Sequence, residues 1–217
     1  MPFSHREFEL LIAVYNAMIW PLQPIVHGTG VLMLVSLFRP SPGRDRWVTV
    51  FLAVLWAWNG IVYHLTFFAR INPAAMVFGG VFIVQSALLF EAALHQRLQF
   101  GAASTRRAGL AWAVLIYAAV VYPLIGIWRG TGYVFLPAFG LTPCPLTMTT
   151  LGILLLAGPT CPRRLYVVPA AWAAVGGSAA ILLDVPQDWP LLVGAVLLPL
   201  AALWRSRVQR KPSWLRV

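Results

Sequence analysis

Long apolar runs, each ended by arginine, proline or glycine, constrain this chain more than any other feature. Seven runs can be marked off: Leu10–Phe38, Trp47–Phe68, Ala74–Leu94, Ala108–Trp128, Pro143–Gly158, Leu165–Leu183 and Trp189–Trp204. About 20 helical residues span a hydrocarbon core ~30 Å thick, and most of the runs approach that length. Because backbone polar groups in lipid must be paired within the segment, the runs are predicted to be membrane-spanning α-helices.

Composition supports lipid as the solvent for much of the chain. Apolar residues make up 60% of the sequence and charged residues 10%, and the mean hydropathy is +0.78. Soluble domains carry about 25% charged residues, so this balance excludes a disordered chain and an ordinary soluble enzyme. The net charge of +10 does not indicate a nucleic-acid partner, because the basic residues lie between the apolar runs.

The basic residues also predict an orientation. Eight of them lie between the first and second, third and fourth, and fifth and sixth runs, and five lie in the C-terminal tail, which places 13 of 16 on one side. Arg6, Arg70 and Arg129 remain for the other side. Since basic residues favour the cytoplasmic face, the sequence predicts seven crossings with the N-terminus outside and the C-terminus in the cytoplasm.

The predicted fold class is therefore all-α, as one transmembrane domain over residues 1–217. Trp20-Pro21 and Gln23-Pro24 interrupt the first run, where each proline removes a helical hydrogen bond. We expect residues 1–20 to form an interfacial N-terminal segment and residues 205–217 to form a basic cytoplasmic tail. Small residues within 170–180 predict close helix packing in the sixth run.

Three polar residues fall near the predicted bilayer midplane. Counting ~1.5 Å per residue from the inner arginines places His27, Asn59 and Gln85 at a depth of ~18–20 Å. A polar group in lipid is costly, so these side chains are candidates for lining a solute or ion site. The alternative is interhelical hydrogen bonding that only fixes the packing.

Glu91 is the acidic residue within a predicted span, and His95 follows it by one helical turn. This spacing places the two side chains on one helix face, where they could share a proton near the cytoplasmic exit of a solute path. The alternative is that Glu91 pairs with an inner arginine and holds two helices together.

Cys144 opens the fifth run between two prolines, where a helix N-terminus favours the thiolate. Counting from the inner arginines places His64 at a similar depth of ~27–29 Å. A thiolate and an imidazole at one depth are candidate ligands for a soft metal ion. The alternative is a small cysteine that only packs. Cys161 is predicted at the opposite face, which excludes a disulfide between the two within one molecule.

Familiar enzyme motifs do not occur in the sequence. It contains no nucleotide-binding loop, nucleophile elbow or zinc-protease motif, and Lys211 in the tail is its one lysine, which excludes a retinal Schiff base inside a helix. A non-enzymatic role is therefore expected, and no cofactor is predicted.

Several motifs resemble those of a family of bacterial multi-pass inner-membrane proteins, a domain of unknown function. Tyr15-Asn16 is followed by Trp20-Pro21-x-Gln23, and a later motif reads F-G-x-x-P-C-P-x-T over residues 139–147. R-I-N-P at 70–73 and D-W-P-L-L at 188–192 are also similar. The resemblance implies a bacterial inner-membrane location and carries no catalytic assignments.

Three functions are compatible with these patterns. The leading one is binding or passage of a small solute or metal ion through the polar core, as in a transporter. The second is a non-catalytic assembly or partner subunit of a membrane complex, and the third is a membrane-embedded thiol-redox protein that uses Cys144. The expected partners are the lipid bilayer, the solute or ion, and either a second copy or another membrane subunit.

Overall fold

The computed structural model describes residues 2–101, 105–130, 132, 135–157, 161–197 and 200. Its α-helices are α1 (His5–Met18), α2 (Leu22–Ser36), α3 (Arg44–Trp58), α4 (Ala75–Leu94), α5 (Thr105–Ile116), α6 (Tyr122–Trp128), α7 (Pro143–Leu156) and α8 (Val167–Leu182). Residues 190–197 are also helical. No strand forms within these ranges. An isolated β-bridge pairs Phe100 with Ala157. The predicted all-α class is confirmed, and the 205–217 tail lies outside the described residues.

Short π and 3₁₀ segments extend or join the helices. Asn59–Phe67 is a π segment that continues α3, and Tyr117–Val121 is a π segment between α5 and α6. The 3₁₀ turns are Phe68–Arg70, Arg163–Tyr166 and Pro186–Asp188. π segments occur often at functional sites, because the extra residue per turn redirects side chains.

Four helical stretches in the described ranges are long and apolar enough to cross a membrane. They are Arg44–Arg70, Ala75–Leu94, Arg106–Trp128 and Arg163–Leu182. α1 and α2 are bent by 84° relative to each other, and the pair is a fifth candidate crossing if it is counted as one span. The break falls at Trp20-Pro21, where the sequence predicts an interruption. These helices fit a membrane protein.

The first helix begins with a reciprocal cap. The Ser4 hydroxyl accepts a hydrogen bond from the Glu7 backbone, and the Glu7 carboxylate accepts one from the Ser4 backbone at 2.7 Å. Because these bonds favour the charged carboxylate, the pKa of Glu7 lies below its usual value. His5 Nδ1 then donates to the Leu183 carbonyl at 2.7 Å. The N-terminus is thereby fixed against the end of α8.

α7 is the most enclosed helix among those described. It has only 14 residues, and all of them except Cys144 are buried. Its threonines donate to carbonyls one turn earlier, as Thr147 does to Pro143 at 2.8 Å. The hydroxyl donors of these threonines are therefore used within the helix itself.

α4 crosses the π segment 59–67 at backbone contact. A Cβ added to Gly60 would lie 2.9 Å from the Gly79 carbonyl oxygen, and one added to Gly79 would lie 2.5 Å from a Leu65 methyl carbon. Glycines on both helices thus allow an approach that larger residues would prevent. This crossing fixes the π segment, which carries Tyr63 and His64, against α4.

Candidate functional site

Residues from the N-terminal helices hold the 135–142 segment against the bundle. The Tyr15 hydroxyl donates to the Leu141 carbonyl at 2.5 Å, and the Asn16 amide donates to the Leu136 carbonyl at 2.8 Å. Leu141 is buried. The segment, which is largely apolar, therefore packs inward and forms a wall of the bundle.

Asn59, Gln85 and His27 each have a separate neighbour. The Asn59 amide donates to the Gly140 carbonyl at 2.8 Å, and the Gln85 amide donates to the Leu165 carbonyl at 3.1 Å. The half-buried ring of His27 lies against Phe139, with 5.2 Å between ring centroids. The bonds of Asn59 and Gln85 match the packing interpretation. Binding of a solute by the three residues stays a prediction.

Glu91 lies in a cluster of positive charge at the end of α4. Its carboxylate is 2.8 Å from an Arg97 nitrogen and also pairs with Arg164, which lies on the 3₁₀ turn before α8. His95 is more distant, at 3.9 Å. The arginine pairing that the sequence left open is therefore present and joins α4 to that turn. A proton relay between Glu91 and His95 stays a prediction.

Trp172 of α8 lies against both candidate metal ligands. Its ring centroid is 5.0 Å from that of His64, and its indole nitrogen lies beside Gly176 together with the Cys144 sulfur. His64 is fully buried among aromatic rings, and neither of its ring nitrogens has a hydrogen bond within the described residues. No group of three or more His, Cys, Asp or Glu is placed to hold a metal ion in that part of the chain. The proposed metal pair stays a prediction.

Asp188 is the functional candidate that depth counting from the sequence missed. It lies on the 3₁₀ turn after α8, outside the spanning helices, and is only 5% exposed. Its Oδ1 makes no hydrogen bond within the described residues. Burial raises its pKa to about 6, while the nearby Tyr122 hydroxyl and Cys144 thiol lower it by favouring the charged form. The D-W-P-L-L motif is the signal that could have identified this residue.

Asp188 lines one cavity, and its neighbour Tyr122 lines another. Asp188 and Cys144 line a cavity of about 350 Å³, whose other walls combine six aromatic rings with aliphatic and small side chains. A second cavity of about 450 Å³ is lined by Gln23, His27 and Tyr122. Tyr122 therefore belongs to the wall of the second cavity while interacting with Asp188 in the first.

The unpaired imidazole of His64 leads to a stability prediction. His64→Phe keeps a flat aromatic ring, although a somewhat larger one, and removes two buried polar nitrogens, so we expect thermal unfolding in detergent to show a net gain of about 1 kcal/mol. His27→Phe, at a half-buried ring, should change stability less. A loss of stability on His64→Phe, accompanied by loss of a metal also lost in Cys144→Ala, would instead establish His64 as a ligand.

Comparison with known proteins gives one match. Residues 6–213 match the model of a family described as a family of unknown function, DUF6064. No curated protein and no solved structure matches the chain. Since the family model covers nearly the whole sequence, the chain belongs to the DUF6064 family.

Proposed function

We propose that this chain is a multi-pass membrane protein that binds a small solute in the cavity beside Asp188 and passes it toward the polar interior. The observation that carries the proposal is a buried carboxyl group in the wall of a cavity of about 350 Å³, with one oxygen that has no hydrogen bond to any described residue. A buried charge without a partner is costly and is kept where a ligand or ion supplies the partner.

Glu91 provides a comparison for Asp188, because it is a carboxylate whose ion pairs join parts of the fold. It pairs with two arginines and remains 33% exposed. Asp188 has less exposure, and no basic residue is among the described residues that line its cavity. This contrast favours solute binding over a purely structural role for Asp188.

The predicted topology forms part of the proposal. In a bacterial inner membrane, seven crossings with the N-terminus outside would place the Asp188 turn and the start of α7 at the outer face. Residues 1–20 would then lie at that interface, and residues 205–217 would form the cytoplasmic tail of a single domain. Solute would enter at Asp188, pass Tyr122 and reach the cavity beside His27.

Alkylation of Cys144 tests whether the cavity admits a small molecule. In a Cys161→Ser background, the natively folded protein is treated with N-ethylmaleimide and the adduct is measured by mass spectrometry. We expect Cys144 to be alkylated without denaturant, because it is partly exposed and lines the cavity. Reaction only after unfolding in dodecyl sulfate would contradict the proposal and favour a packing role in an assembly subunit.

A further inference from the structure

We infer that the solute is a small organic cation, bound between the aromatic walls of the cavity and the carboxylate of Asp188. This inference rests on the proposed function and assigns a chemical class to the molecule. It depends on the ring arrangement, on the sign of the charge in the wall, and on the size of the space.

The walls are aromatic on several sides. Six rings contribute to the lining: Phe3, Phe8, Tyr63, Phe68, Phe78 and Trp172. Neighbouring rings lie close, with centroids 5.3 Å apart for the Phe3–Phe68 pair and for the Phe78–Trp172 pair. A cation within about 6 Å of a ring centroid is attracted by the negative ring face, and a site with several rings binds alkylammonium groups with little need for hydrogen bonds.

The charge in the wall has a single sign. Among the described residues that line the cavity, Asp188 is the one whose side chain carries a formal charge when ionised as a carboxylate. Neither arginine nor lysine occurs among them. The exposed Arg129 is paired with Asp184 at 2.8 Å. An anion entering the cavity would therefore meet a carboxylate with no basic residue beside it in the described lining, whereas a cation would form an ion pair with it.

The size of the cavity favours an organic ion over a bare metal. About 350 Å³ exceeds the space needed for a metal ion, and the described residues offer no set of three ligating side chains around it. Apolar groups on the cation would fill the remaining volume and contact the rings.

Protonation of Asp188 should compete with the cation. The titratable groups that interact with Asp188 are phenols and a thiol: Tyr63, Tyr117, Tyr122 and Cys144. At the neighbouring surface lie His5, Glu9, Arg129 and Asp184. Since burial places the pKa of Asp188 at about 6, a cation that needs the carboxylate should bind about tenfold more weakly at pH 5 than at pH 8. His5→Gln is the control for the imidazole at this neighbouring surface.

Equilibrium dialysis with benzyltrimethylammonium tests the inference on the purified protein. Benzenesulfonate, of similar size and opposite charge, is the comparison ligand. We expect the cation to bind and the anion not to bind at pH 8, with at least a tenfold loss of affinity in Asp188→Asn. Asp184→Asn is the matched control, because Asp184 is 71% exposed on the preceding turn, and it should stay within about twofold.

A second variant keeps the test informative if Asp188→Asn does not fold. Phe78→Leu removes one ring and should weaken cation binding about threefold without affecting its pH dependence. Equal binding of cation and anion, or binding unchanged in Asp188→Asn, would overturn the inference. The proposed function would survive that result as long as Cys144 is alkylated in the native state, and would fail only if the cavity admits no small molecule.

Discussion

Asp188→Asn is expected to stabilise the folded protein at pH 8 by up to about 3 kcal/mol. Burial raises the pKa of Asp188 from 3.8 to about 6, and each unit corresponds to about 1.4 kcal/mol between the two protonation states. In the pH range between these values the folded state binds the proton more tightly than the unfolded chain. Stability therefore falls as the pH rises through this range, and the asparagine variant avoids that loss.

Thermal unfolding in detergent between pH 4 and pH 8 measures this effect. The difference between Asp188→Asn and the parent should be close to zero at pH 4 and should grow until about pH 7. Asp184→Asn is the control for removing a carboxylate, because Asp184 is exposed and paired with Arg129. A variant that is destabilised equally at all pH values would show that Asp188 has a structural partner. Binding sites commonly contain functional residues that lower the stability of the folded protein.

Gly79→Val is expected to destabilise the protein by about 3 kcal/mol or more. The added Cβ would lie 2.5 Å from a Leu65 methyl carbon and 3.0 Å from the Gly60 carbonyl oxygen. The backbone oxygen cannot move without shifting the π segment, so α4 must separate from it. Because Tyr63 and His64 lie on this segment and Phe78 lies on α4, the cavity walls should separate as well.

The adjacent glycine is a matched control for this substitution. A Cβ on Gly80 would meet nothing within 4 Å, so Gly80→Val should change the free energy of unfolding by less than about 1 kcal/mol. The two variants should also differ in benzyltrimethylammonium binding, which only Gly79→Val should weaken. Similar losses of stability in both variants would show that β-branching in α4, and not the helix crossing, is responsible.

The helical class and the break near Trp20 could be predicted because both depend on local chemistry. Long apolar runs require helices in lipid, and the proline at the break removes a backbone donor wherever it lies. The alternative partner of Glu91 was also predictable, since arginines are concentrated at the predicted inner ends of the runs. Asn59 was singled out by its depth within a predicted span, but its partner, the Gly140 carbonyl, lies 81 residues away and has no local signal.

Asp188 and Trp172 show why the rest of the site was not predictable. Counting residues along a helix gives the depth of a side chain in the membrane. It does not show which helices pack against each other. Asp188 follows the end of a helix, where an acidic side chain is normally solvated. The turn nevertheless places its carboxyl group next to Tyr122 and Cys144. Likewise, equal depths for His64 and Cys144 gave no indication that the Trp172 ring lies against both.

Protection of Cys144 by benzyltrimethylammonium most directly tests whether the cavity beside Asp188 is a ligand site. The rate of alkylation by N-ethylmaleimide is measured in the Cys161→Ser protein with and without the cation, and the ratio is compared at pH 8 and pH 5. The predicted result is strong protection at pH 8, little at pH 5, and none with benzenesulfonate. Unchanged alkylation at saturating cation, at both pH values, would contradict the assignment of this cavity as the binding site.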